Sequence, residues 1–237
     1  MKPRHAIGTL ALITLVSVAV VYALSAYAFV PSLWRFVERR HPALDSAGTR
    51  AFTAAGMPGD PLNISFVGTE ADLQRVMTTG HWVDADPVTM RSSVRIVVDS
   101  AARRGYESAP VSTLYVQGRR QDVAFEAPAG KDPASRHHVR FWRMPQTDLL
   151  GRVLWVGAAT FDRGVGLSHT TGQVTHHIAP NVDAERDKLL SDVAGVPGLQ
   201  LQWIDAFQTT LQGKNGGGDP YYTDGRMAVL SIDPAVQ

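Results

Sequence analysis

The segment Arg136-His-His-Val-Arg-Phe-Trp-Arg143 holds the densest group of chemically useful side chains in this 237-residue chain. Read as a β-strand, it sorts with a period of two onto two faces. One face carries His137, Val139, Phe141 and Arg143; the other carries Arg136, His138, Arg140 and Trp142. Guanidinium groups fork onto carboxylate or phosphate oxygens, and imidazole exchanges a proton near neutral pH, so the second face has the chemistry to hold an anion. The competing reading is a solvated strand face, because surface arginines are common. His137, flanked by Val139 and Phe141, reads as a buried or half-buried histidine with a hydrogen-bond partner.

A second pair, His176-His177, precedes Ile178, Pro180 and the segment Asp183-Ala-Glu-Arg-Asp187, so His176, His177 and Arg186 join Arg136, His138 and Arg140 as candidate ligand-binding residues. Alternation again separates the two imidazoles, placing His176 with Val174 and Ile178 and His177 with Thr175. A metal would need one histidine from each pair plus a carboxylate, the weak candidates being His138, His177, Asp162, Asp183 and Asp187. No HExxH spacing is present, and no metal or other cofactor is expected. His169, in a glycine-rich loop, is a spare ligand or simply exposed. Ser168-His169 and Thr175-His176 are neighbours in sequence only, which says nothing of nucleophile and base geometry, and neither GxSxG nor a P-loop occurs.

Composition narrows the field. With 23 basic and 22 acidic residues the net charge is +1, which gives no reason to expect nucleic acid as a partner, and zero cysteines exclude disulfides, thiolate catalysis and cysteine-held metals. The charge is uneven: residues 91–143 hold ten Lys/Arg against five Asp/Glu, while 144–237 hold six against ten. The middle third could therefore face anionic lipid headgroups, or its arginines could pair with the acidic segments as the fold assembles.

The elements that position these residues follow an apolar stretch. His5 to Pro31 contains no charged Asp, Glu, Lys or Arg, and the 24 residues Ile7–Val30 would make a helix about 36 Å long, enough to cross a bilayer. Lys2 and Arg4 precede it, and Trp34, Arg35, Arg39 and Arg40 follow. Ala26-Tyr-Ala28 offers a signal-peptidase site, but the apolar run is longer than a signal core and continues past it, so an anchor is the preferred reading. We divide the chain into a basic start (1–5), a transmembrane anchor (6–30), a linker (31–60) and a folded domain (61–237). Leu62–Val67 reads as a strand, and Thr69 as the N-cap of a helix carrying Leu73, Val76 and Met77. Val88–Arg104 reads as a helix and Asp183 opens another. Short strands are expected at 111–116, 122–126, 136–143, 153–161, 174–178, 199–207 and 226–232. The glycines of Gly213–Pro220 read as slack. The expected class is α+β: a mostly antiparallel sheet of about six to eight strands and about three helices behind one N-terminal membrane helix.

Several separated motifs carry a resemblance: Asp60-Pro-Leu-Asn-Ile, Gly80-His-Trp82 with Ala85-Asp86, Ala109-Pro-Val-Ser-Thr-Leu-Tyr115, Gly118-Arg119 with Asp122 and Phe125, His137-His-Val-Arg-Phe-Trp142, and Thr175-His-His-Ile-Ala-Pro with Asp183–Asp187. From Asp60 to Val193 the chain resembles the LssY C-terminal domain family of bacterial membrane proteins. The resemblance implies a domain of unassigned activity, often placed after membrane segments that include a lipid-phosphatase-like unit. The PSGH and SR…H…D elements of that phosphatase are missing here, so its activity is not carried over. It favours an envelope role; separately, the basic start competes with the arginines after the helix, and we read the amino terminus as cytoplasmic and the domain as lying on the outer, periplasmic side of the inner membrane. Three readings stay open: a binding or accessory module for an anionic, phosphate-like or lipid-like ligand; a hydrolase of an envelope phosphate or ester using His and Asp; and a structural partner of another membrane protein.

Overall fold

The computed structural model describes residues 3–30, 48–85, 113–129, 135–148, 150–172 and 174–232. Helix α1 (Pro3–Leu24) runs on through a π-helical turn, Ser25–Phe29. Leu12–Phe29 has a mean hydropathy of 2.1 and is long and apolar enough to cross a membrane. Its lower end is not isolated: the Tyr22 hydroxyl donates to the Gly172 carbonyl, and Ala26 is buried.

The folded part begins with β1 (Arg50–Thr53), β2 (Pro58–Pro61) and β3 (Ile64–Val67), followed by α2 (Glu70–Thr79) and β4 (Val83–Asp84). The segment expected as a linker up to residue 60 thus contributes two paired strands, β1 and β2. Short strands with little periodicity, held by pairing to distant chain, leave no local pattern to read. Next come β5 (Leu114–Val116), β6 (Arg119–Arg120), β7 (Val123–Pro128), β8 (Arg136–Thr147), β9 (Val153–Leu167) and β10 (Val174–Ile178). The chain closes with α3 (Val182–Val193), β11 (Leu199–Ile204), β12 (Gln212–Lys214), β13 (Pro220–Tyr222) and β14 (Met227–Ile232). The helix expected at Val88–Arg104 lies outside the described residues.

The main sheet has eight strands in the order β11-β14-β3-β9-β8-β7-β4, with β10 also paired to the long β9. All its ladders are antiparallel except β14 on β3, where the last strand returns beside the first. Together with the helices this is the α+β class expected. A smaller sheet, β2-β1-β5-β6, lies on one face. Leu114, Val116 and Ala51 from the small sheet pack with Trp142, Ala158 and Met227 from the large one. The opposite face carries α2 and α3, whose Leu73, Val76, Met77, Leu189 and Val193 bury against Phe66, Phe125, Val139, Phe141 and Trp155. Both helices start as their sequences dictate. Thr69 and Asp72 form a capping box at α2, and the Asn181 side chain accepts from the Ala184 N–H at α3. Buried Asn63 ties the layers together: its amide donates to the carbonyls of Ala159 and Val182 and its oxygen accepts from the Ala159 N–H.

A candidate ligand site at the foot of the apolar helix

Strand alternation sends His137 towards the helices, where its Nδ1 lies 2.8 Å from Glu185 Oε2 of α3. Burial raises the Glu185 carboxyl above its usual range, His137 working against it. Arg136, His138, Arg140 and Trp142 point the other way, and all four are buried. The solvated-face reading is therefore replaced by an interior one. Buried charged groups need partners, and Arg136, His138 and Arg140 find carboxylates on other strands, whereas the Trp142 indole nitrogen has no hydrogen-bond partner among the described residues.

Register supplies them. Glu126 of β7 stands opposite His138, and Asp162 of β9 stands opposite Arg136. Arg136 Nη1 donates to Glu126 Oε2 at 2.9 Å, and the same oxygen lies 3.4 Å from His138 Nε2. His138 Nδ1 lies 2.8 Å from Asp162 Oδ2, so the ring is held between two carboxylates. Burial opposes a charge on His138, but Asp162 and Glu126 outweigh it and raise its pKa. Burial likewise works against the Asp162 carboxylate, and the charges of His138, His176 and Arg140 bring it down to about 2. Beside this chain, Arg140 Nη1 donates to Asp60 Oδ2 of β2 at 3.0 Å. Asp60 nevertheless has a raised pKa, because burial outweighs the pull of Arg140. The acidic and basic groups of this interior are thus matched: Asp60, Glu126 and Asp162 against Arg136, Arg140 and His138.

His176 completes the arrangement from β10. Its ring is 6.1 Å from that of His138, and its Nδ1 is 3.7 Å from Asp162 Oδ2. Burial lowers its pKa despite Asp162, which favours the neutral ring near pH 7. Its Nε2 is buried and meets no hydrogen-bond partner among the described residues. A cavity of about 400 Å³ opens here, lined by Asp60, Arg140, Asp162 and His176 and by Thr175, Asn215, Gly216 and Gly217. Tyr27 of the apolar N-terminal helix lines the same cavity, as do Ser168 and Thr171 of the adjacent turn.

The six candidate residues do not all meet. Arg136, His138, Arg140 and His176 share one network. His177 points away from it, its Nδ1 2.7 Å from Asp219 Oδ1. Arg186 lies elsewhere, donating to Asp183, Asp187 and Asp224 and stacking over Trp203 with its guanidinium carbon 4.8 Å from the ring centroid. The weak metal set is likewise split, with His138 and Asp162 in the interior, His177 beside Asp219, and Asp183 and Asp187 around Arg186. Glu126, Asp60 and Tyr27 are the site residues that sequence reasoning missed. Asp60 had a signal, since it opens one of the quoted motifs and its partner Arg140 lies in another.

A helix long and apolar enough to cross a membrane, joined to an α+β domain with a buried ionic centre, is compatible with a membrane-associated domain. Residues 43–227 match the LssY C-terminus family, and the chain belongs to that family. No curated protein and no solved structure matches it.

Proposed function

We propose that the chain is a membrane-anchored binding module of the bacterial cell envelope that takes a phosphomonoester headgroup into the cavity between Arg140, His176 and Tyr27. The domain stands on the extracytoplasmic side of the inner membrane. One observation carries the reading: Tyr27, on the helix that fits a membrane, lines the same cavity as Arg140, Asp162 and His176. A lipid headgroup stays within reach of the hydrocarbon edge, so its receptor must open where the helix leaves the bilayer. Arg140 supplies charged donors and His176 a nitrogen without a hydrogen-bond partner among the described residues. Asp60 and Asp162 line the same wall and accept hydrogen bonds, which suits a monoanion that still carries a P–OH and disfavours a fully ionised group.

The hydrolase alternative is less well supported. His176 and Asp162 stand at an ion-pair distance of 3.7 Å rather than in a hydrogen bond. The Ser168 hydroxyl accepts from the N–H groups of Thr170 and Thr171 and donates to the Gly217 carbonyl, so its proton is directed at backbone and not at an imidazole.

The test is calorimetry on the full chain in neutral detergent, titrated with dihexanoyl phosphatidic acid, inorganic phosphate and dihexanoyl phosphatidylcholine. Phosphatidic acid should bind one per chain, and Arg140→Lys and His176→Gln should each weaken it about tenfold, roughly 1.4 kcal/mol. Phosphatidylcholine, lacking the monoester, should not compete. Equal affinity for inorganic phosphate would assign the cavity to free phosphate. Absence of binding by either phosphate compound would remove the proposal.

A further inference from the structure

Outside the ionic interior, three potential metal ligands from three segments come together. His177 sits on β10, His169 in the turn after β9, and Asp219 at the start of β13's approach, in the glycine-rich stretch read as slack. One ligand atom from each lies within 4.8 Å of the others. His177 Nδ1 is 2.7 Å from Asp219 Oδ1, and the two imidazole rings are 5.1 Å apart.

Each ligand is delivered by specific local structure. The Asp219 carboxylate is oriented by the Ile178 N–H, which donates to Oδ2, while the Asp219 N–H donates to Asn215 Oδ1. The His169 N–H donates to the Gly217 carbonyl at 2.8 Å. Two glycines make the approach possible. A Cβ at Gly218, where φ is +86°, would meet His169 Cβ at 2.8 Å, and a Cβ at Gly166 would meet His177 Nε2 at 2.5 Å. Glycine at both positions leaves room for the imidazoles and not for a larger residue.

We infer that His169, His177 and Asp219 form a binding site for a divalent transition-metal ion of the zinc type, fastening the turn at 168–172 to the β12–β13 loop. Two imidazoles and a carboxylate are the donor set of a borderline cation, whereas magnesium and calcium prefer oxygen alone. Ligands on a tetrahedral zinc stand about 3.3 Å apart for bonds of roughly 2.0 Å. His169 is exposed and can swing inward to close the triad. Three protein ligands leave a fourth position open to solvent. The site is distinct from the cavity but shares its wall, since Ser168 and Thr171 line the cavity from one side of the joint and Asn215, Gly216 and Gly217 from the other.

Equilibrium dialysis of the full chain in neutral detergent against Zn²⁺, with metal analysis of the retained protein, tests this directly. The expected result is about one zinc per chain, a rise in melting temperature on loading, and no displacement by excess Mg²⁺. His169→Ala removes an exposed side chain and should keep the fold while weakening zinc about tenfold or more and abolishing the rise in melting temperature. Asp219→Asn should do the same, and His169→Ala alone decides the matter if that variant does not fold. Absence of stoichiometric zinc in the parent chain, equal retention by His169→Ala, or displacement by Mg²⁺ would overturn the inference.

Discussion

Arg140 and Asp60, 80 residues apart in sequence, meet at 3.0 Å with each side chain only 7% exposed. The pair joins the small sheet to the large one in the wall of the cavity. Removing one partner of a buried ion pair strands the other, so Arg140→Ala should cost about 3–5 kcal/mol in urea unfolding of the full chain in neutral detergent. Adding Asp60→Asn to Arg140→Ala should restore much of that loss. Strict additivity of the two substitutions would show that the pair is not energetically coupled. For the same reason Arg140→Lys, which keeps the charge and loses the fork, is the variant suited to binding experiments.

Acid should expose the contribution of Asp162. Its folded pKa is lowered from 3.8 to about 2, so its stabilisation is present above the unfolded value and is lost as pH falls from about 4 towards 2. The shift corresponds to about 2 kcal/mol. His138 has the opposite sign: its raised pKa gives stability that is complete below 6.5 and fades as pH rises through the folded value. The two describe one ion pair from both ends, and their contributions are not summed. Urea unfolding of the parent and Asp162→Asn chains should show a gap that is wide near pH 5 and narrows by about pH 2.5. A gap independent of pH would contradict it.

Local signals in the sequence were sufficient for much of the scaffold. The Thr69 cap, the strand at 174–178 and the division of β8 into two faces all follow from spacing, and the structure has them. What spacing could not reveal is which strand lies opposite which. His138 looks the same on an exposed strand as on one enclosed by Glu126 and Asp162, because burial is set by pairings between segments that are distant in sequence. The parallel contact of β14 with β3 is hidden for the same reason. Gly213–Pro220 reads as slack in the sequence because glycine marks both slack and close approach, and the close neighbours of Gly213, Gly216 and Gly218 show that here it marks close approach.

Tyr27 provides a way to tell a lipid ligand from free phosphate. It lines the cavity from the apolar helix that fits a membrane, so Tyr27→Ala should weaken short-chain phosphatidic acid several-fold while leaving affinity for inorganic phosphate nearly unchanged. Calorimetry on both ligands checks this. Equal losses for both would mean that Tyr27 shapes the cavity and does not meet the lipid.

The absence of cysteine makes membrane sidedness easy to read. Leu150 is 78% exposed in the turn between β8 and β9, and Leu150→Cys places one thiol on the domain surface. In bacterial cells with a permeabilised outer membrane and an intact inner membrane, a membrane-impermeant maleimide should label it. Labelling only after the inner membrane is broken would place the domain in the cytoplasm.

The most direct measurement follows the His176 ring by NMR of the ¹⁵N-histidine-labelled full chain, with and without saturating dihexanoyl phosphatidic acid. In the free protein burial lowers its pKa, with Asp162 opposing and His138, Arg136 and Arg140 reinforcing the shift. A bound phosphate monoanion would add negative charge beside the ring, so the account predicts that the His176 titration midpoint moves to higher pH when the lipid binds. An unchanged His176 midpoint at saturating lipid would contradict the placement of the ligand in this cavity.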